Sequence, residues 1–342
     1  MDPYRSGPVE ERSSAAGDQG IVGDVIGQFA DRYAFLRELV QNAIDAGTET
    51  VEVRLEHDGE IMHASVRDRG DGMTREIVED QLLVLFRSTK ESDRSKIGKF
   101  GIGFVSVLAP EPEVVIVQTA REGRRLTAHL YRDLTYELFD AGPATQTGTT
   151  VMVDVRIAPD AVDEVVRASR YALDRWCRHA AVPIELTVAL PGAAPEKMRI
   201  DRSLAIDDAL VEVRGGDAER TMVAAITGGS PQVGFFNHGL MLFETSEPLC
   251  GPVSVKIQDS RLGHTLSRDD VRRDEAFDEA IEAAKLLATR QLPEAAAAAI
   301  HAAAEAGDLE RHRALVSACT AIAVPAWRVP LVEPIGEARS ID

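Results

Sequence analysis

Three short constellations in this sequence hold residue types able to do chemistry. Glu38, Asn42 and Asp45 stand four and three positions apart. At about 100° per residue they share roughly a 60° arc of one helix face, presenting two carboxylates and an amide oxygen together. Taken alone, the trio also suits a solvated polar face. Asp68-x-Gly70-x-Gly72 directly follows an apolar alternating run. Glycines let a backbone approach a flat ligand or adopt positive φ, and a neighbouring carboxylate can accept from an exocyclic amine. A plain tight turn is the alternative. Gly98-Lys99-Phe100-Gly101-Ile102-Gly103-Phe104 leads into an apolar helical run. Backbone N–H groups there would form an anion site suited to phosphates. It is neither GxxxxGK[S/T] nor a GxGxxG after a strand, and a glycine-rich connection without a ligand stays open.

These residues need elements to hold them. Apolar residues Phe35, Leu36, Leu39, Val40, Ala43 and Ile44 predict a helix over 31–47, ended by Gly47. Strands are expected at 51–55 and 61–67, a helix over 73–86, a loop over 87–103, and strands at 114–119, 125–131 and 149–155. The order is that of an α+β fold with a mainly antiparallel sheet. Pro159 marks a boundary. Beyond it the pattern predicts a helix over 160–179 and strands at 184–190, 210–213, 222–227 and 253–257. From Asp269 the chain turns helical, and the alanine-rich 295–306 has helix propensity but little bulk to pack. The expected division is a leader over 1–20, a first domain over 21–157, a second over 158–290 and a helical tail over 291–342.

The 342 residues include 44% hydrophobic and 27% charged, enough for two buried cores. Lysine and arginine number 38 against 56 acids, a net charge of −18, which argues against a general binder of nucleic acid or anionic membranes. Three distant cysteines, no signal-peptide h-region and no long apolar run suggest a reducing, cytoplasmic setting. Trp176 and Trp327 read as core or interface residues, and the histidines lack metal-ligand spacing.

Together, in this order, the constellations resemble the ATP-binding domain shared by gyrase B, Hsp90, histidine kinases and MutL. Residues 36–46 (Leu-Arg-Glu-Leu-Val-Gln-Asn-Ala-Ile-Asp-Ala) look like that superfamily's N box. Residues 68–74 look like its first glycine box, 97–104 like its second, and Gly148-Thr149 like its last nucleotide-contacting element. Arg37-Glu38, Gly72-Met73-Thr74 and the 97–104 sequence are most similar to Hsp90. Less specifically, residues 171–186 resemble the start of an Hsp90 middle domain. Residues 255–260 and 265–269 resemble the segment carrying that domain's catalytic-loop arginine. The lid-like segment 87–96 is shorter and more charged than is usual in Hsp90, nearer to MORC-type and MutL-type relatives.

The resemblance implies a two-layer α/β sandwich (the Bergerat fold), then an S5-like α+β module. It implies ATP and Mg²⁺ as cofactors, with Glu38 as general base and Asn42 as the Mg²⁺ ligand. Asp68 would grip the adenine amine with help from Thr149, and Met73 would pack on the base. Asp45, Ala46 and Gly72 would line the base end of the pocket, and Lys99, Phe100, Gly101, Ile102, Gly103 and Phe104 would hold the phosphates. Arg268 would stabilise charge on the transferring phosphoryl group, with Arg272 or Lys256 as alternatives. The expected function is Mg²⁺-dependent ATP hydrolysis driving lid and domain closure, as in a chaperone or conformational switch. Its partners would be ATP and ADP, a protein client and a nucleotide-dependent second copy, with no nucleic acid or membrane. The alternatives are a MutL- or MORC-like DNA-associated ATPase, or a nucleotide-dependent binding module with negligible turnover.

Overall fold

Val51, Val53 and Leu55 alternate with polar neighbours and lay down β2 (Val51–His57). Met62, Ala64 and Val66 do the same for β3 (Ile61–Arg67). In the computed structural model, which describes residues 9–12, 31–83, 102–265, 270–320, 329–332 and 338–341, these two strands join a nine-stranded sheet. Its other members are β1 (Val9–Arg12), β4 (Val114–Arg121), β5 (Arg124–Tyr131), β6 (Tyr136–Pro143), β7 (Gly148–Arg156), β8 (Ile184–Ala189) and β9 (Glu196–Arg199). Their spatial order is β1-β6-β5-β4-β7-β3-β2-β8-β9, and every pairing is antiparallel except β2 with β8.

Helix α1 (Ala34–Asp45) buries Phe35, Leu36, Leu39, Val40 and Ala43, the stripe expected from its sequence. It packs beside α2 (Val162–Cys177), which buries Val162, Val166, Ala172 and Leu173. Of the helix expected over 73–86, the described part forms a turn, Arg75–Ile77, continued by a π-helical segment, Val78–Leu82, and residues 84–86 lie outside the described residues.

The chain divides into two compact units, Met1–Arg202 and Ser203–Asp342. The first therefore runs past the break expected at Pro159. The cause is β8: Ile184, Leu186 and Val188 pair in register with Val51, Val53 and Leu55, tying residues 184–199 to the first sheet. The segment read as opening a second domain, Val182-Pro183-Ile184-Glu185-Leu186, thus belongs to the first unit.

In the second unit β10 (Ala209–Gly216), β11 (Arg220–Thr227), β12 (Val233–Asn237), β13 (Leu240–Thr245) and β14 (Ser254–Asp259) form a sheet in the order β10-β11-β14-β12-β13. Helix α3 (Glu275–Glu305) is capped by the Asp274 side chain and packs on that sheet. The alanine-rich stretch is no loose tail. Leu292, Ala296, Ile300 and Ala303 enter the same core as Phe235 and Ile257, joined by Leu315 and Cys319 of α4 (Leu309–Cys319). Small side chains let the backbones approach, so the contact needs little bulk. A two-stranded ribbon, β15 (Val329–Val332) and β16 (Ala338–Ile341), follows. Among the described residues no helix is long and apolar enough to cross a membrane.

Among its described residues this unit's core holds one fully buried acid. Asp259 is 0% exposed, and its Oδ2 accepts from Arg220 Nε at 2.9 Å and Arg261 Nη2 at 2.9 Å. Burial raises its pKa, but hydrogen bonds from the Arg261 side chain and backbone and from Arg220 outweigh that and bring it down to about 2. A depressed carboxylate contributes stability that is complete above its ordinary value near 4 and is lost as pH falls towards 2. Chemical denaturation should show the second unit weakening across that window. Asp259→Asn should remove much of the pH dependence and cost about 1–3 kcal/mol by weakening the charge-assisted bonds to Arg220 and Arg261, while Arg220 keeps its contacts to Glu279.

Candidate functional site

The register of three neighbouring strands builds the site's base. β3 pairs with β7 so that Arg67 faces Thr150, which sets Asp68 beside Thr149. The backbone N–H of Asp68 donates to the Thr149 carbonyl (2.9 Å), and the Thr149 N–H donates to Asp68 Oδ1 (3.2 Å). Oδ1 also accepts from the Gly70 N–H at 2.8 Å. Both bonds fall on Oδ1, and among the described residues Oδ2 is left for an incoming donor. Asp68 is 9% exposed. Burial raises its pKa above the ordinary carboxyl value, against the pull of the Gly70 and Thr149 amides.

The glycines here are steric necessities. A Cβ on Gly70 would lie 2.3 Å from the Ala46 carbonyl oxygen, and one on Gly72 (φ +65°) would lie 2.1 Å from that of Ala120. The first contact ties the end of α1 to the loop, since the Asp71 N–H donates to the Ala46 carbonyl at 2.9 Å. Helix α1 is thereby fixed to the carboxylate loop at Ala46.

One residue of this network escapes a reading of the sequence. Thr119 lies opposite Thr149 in the β4–β7 register and is 2% exposed. Its Oγ1 accepts from the Met73 N–H at 2.8 Å and sits 3.1 Å from Thr149 Oγ1. It links Met73 to the Asp68–Thr149 pair. A threonine closing the strand expected over 114–119 was the available signal. Thr48, 5% exposed, plays a similar part: its Oγ1 accepts from the Arg69 N–H at 3.1 Å.

On α1 the expected trio divides. Asn42 and Asp45 are exposed, with the Gln41 side-chain amide donating to Asp45 Oδ1 at 2.8 Å. Glu38 is 5% exposed, with Oε1 3.8 Å from Arg37 Nη1. A solvated polar face does not bury its central carboxylate, so that alternative fails for Glu38. After it, Ile102–Val105 forms a helical turn against α1, where Gly103 and Phe104 are buried and the Ser106 hydroxyl donates to the Gly103 carbonyl at 2.6 Å.

Lys99, Phe100, Gly101 and Arg268 lie outside the described residues, as does the side chain of Ile102. On either side of 266–269 the Thr265 N–H donates to the Asp270 carbonyl at 2.9 Å. The two alternatives to Arg268 are already engaged. Lys256 Nζ donates to the Ala205 carbonyl at 2.7 Å, and Arg272 pairs with Asp274 at 3.4 Å.

The family described as histidine kinase-, DNA gyrase B- and HSP90-like ATPase matches residues 34–140. The chain carries a GHKL-type, Hsp90-like ATPase domain. Its curated relatives include the chaperone protein HtpG of Yersinia pestis, 28% identical over 201 residues, covering 47% of this chain and 30% of the relative. The chaperone protein HtpG of Salinispora arenicola is 27% identical over 202 residues, covering 48% and 31%. That of Methylococcus capsulatus is 27% identical over 190 residues, covering 46% and 29%. The matched part is thus less than a third of each relative's length.

The GHKL-type domain also holds a cavity of about 620 Å³, lined by Tyr33, Phe35, Leu55, Met62, Val155 and Val165 among others. It lies by the start of α1 and the far ends of β3 and β7, and among the described residues none of those expected to bind nucleotide lines it.

The site suits the group its family binds. Asp68 offers an acceptor beside backbone that only glycine permits, as a flat base with an exocyclic amine requires. Among the described residues no cluster of three histidines, cysteines or acids could hold a metal ion. Asn42, exposed on α1, could offer an amide oxygen to Mg²⁺ beside the nucleotide's phosphates and water.

Proposed function

We propose that this protein binds ATP with Mg²⁺ and hydrolyses it, coupling turnover to closure of the chain as a chaperone-like conformational machine. The observation that carries the reading is Asp68, held by two backbone amides on one oxygen and open on the other, in a loop fixed to the helix bearing Glu38. Asp68 accepts from the adenine amine, with the Thr149 hydroxyl beside it. Guanine presents a carbonyl at that edge and leaves the carboxylate repelled, which gives selectivity for adenine. Met73, positioned through Thr119, packs on the base.

Mg²⁺, bound through the phosphates and Asn42, would neutralise charge on the terminal phosphate. Glu38, one turn before Asn42, orients the attacking water and takes its proton. Lys99 and the N–H groups of residues 100–104 hold the phosphates. Arg268 is the proposed cation for the transferring phosphoryl group. The relatives' description as chaperone proteins supports a protein client, and the same proposal includes a second copy of this chain as a nucleotide-dependent partner.

The test is ATP turnover together with solution mass, measured with and without a non-hydrolysable ATP analogue. Turnover with adenine preferred over guanine is expected. The absence of nucleotide binding under saturating Mg²⁺ would overturn the proposal.

A further inference from the structure

The proposed base has a neighbour that nucleotide binding does not use. Arg37, 8% exposed, places Nη1 3.8 Å from Glu38 Oε1. Its Cζ lies 5.1 Å from the centre of the Trp176 ring, and Arg175 Cζ lies at the same distance. Trp176 stands in the last turn of α2, next to the fully buried Cys177. The Cys177 thiol is pushed up to about 12, mainly by burial, with Arg37 and Glu38 both acting on it electrostatically. The buried carboxylate and guanidinium and the half-buried indole therefore form one row linking α1 to α2.

We propose that Trp176 is a positioning residue for hydrolysis: its indole holds the Arg37 guanidinium beside Glu38, and this fixes the direction in which the carboxylate meets the attacking water. The proposal rests on the ATPase reading above. A guanidinium withdrawn from water is attracted to an indole face, where its planar shape also packs. A glutamate has three rotatable bonds, and a fixed counter-charge narrows the directions it samples. An aliphatic residue at 176 fills space but offers no such attraction. Asp68, Thr149 and Asn42 take no part in the row, so nucleotide affinity should not depend on it.

Three variants, Trp176→Leu, Trp176→Phe and Arg37→Lys, separate positioning from folding. Trp176→Leu should lower kcat about tenfold, since small displacements of a reacting group are costly, while KM and the calorimetric Kd for ATP stay at wild-type values. Trp176→Phe, which keeps an aromatic face, should recover kcat to within about twofold. Arg37→Lys keeps the charge but loses the planar group and should resemble Trp176→Leu. A Trp176→Leu chain with unchanged or raised kcat overturns the proposal. So does a parallel rise in KM, or a Trp176→Phe chain as impaired as Trp176→Leu.

One further arm needs no turnover. In a Trp327→Phe background the fluorescence comes from Trp176, and Arg37→Met should shift its emission. An unchanged spectrum overturns the proposal by itself. A wild-type chain that binds but never hydrolyses ATP instead sinks the ATPase reading, and the base's role with it.

Discussion

Asp68→Asn should abolish detectable ATP binding while leaving the first unit folded, a loss of at least about a hundredfold in affinity. The asparagine carbonyl oxygen can take over Oδ1's place, accepting from the Gly70 and Thr149 amides at the present distances of 2.8 and 3.2 Å. The loop is therefore kept. The side-chain NH₂ then falls where Oδ2 was, and a donor faces the donor of the adenine amine. Calorimetry with Mg²⁺-ATP, beside a thermal melt, separates the two effects. A variant that melted like wild type and still bound ATP tightly would remove Asp68 from the site.

The same carboxylate gives the binding a pH dependence of known sign. Burial raises the Asp68 pKa, so protonation begins at higher pH than for an exposed aspartate. The neutral acid is a poorer acceptor for an amine, and affinity should fall as pH drops through that raised value. Stability runs the other way, because a raised carboxyl pKa makes the folded state less stable as pH rises through it. Ligand affinity and the stability of the first unit should thus diverge on acidification in the wild type, and Asp68→Asn should lack this contribution to the pH dependence of stability.

The sequence carries these residues with uneven clarity, for physical reasons. The helix of Glu38 and the strands before Asp68 and through Thr149 are legible because their apolar residues repeat at 3.6 or 2 positions over seven or more residues. β6 is missed because Tyr136–Phe139 is buried continuously, without alternation, and the strand ends in Asp-Ala-Gly-Pro. The β12–β13 hairpin is missed although Asn237-His238-Gly239 lies between two apolar runs. His238 and Gly239 both take positive φ there, as a two-residue hairpin turn requires. Pro159 looks like a domain break, and nothing local in residues 184–188 says that they pair with residues 51–55, which lie more than a hundred positions away. Thr119 belongs to the same class: its role exists only once the register of β4 on β7 is set. Motifs are local, whereas pairings are long-range, and the site depends on both.

Glu38 decides whether the pocket is an enzyme. Glu38→Gln should leave ATP affinity within about threefold of wild type and lower single-turnover hydrolysis by about 10²–10⁴. The amide keeps the size and an oxygen acceptor but cannot take a proton from water. The residues expected to grip the nucleotide, Asp68, Thr149 and Asn42, are untouched. Glu38→Ala should abolish turnover equally yet cost more stability, because Arg37 loses the Glu38 carboxylate 3.8 Å away while staying buried against Trp176. The comparison separates chemistry from folding: equal turnover defects with unequal melting temperatures indicate a base, whereas defects that track the melting temperature indicate a structural carboxylate. If Glu38→Gln hydrolysed ATP at the wild-type rate, the proton would have to go to another group. Burial beside a guanidinium would then be the whole reason for an acid on the inner side of α1.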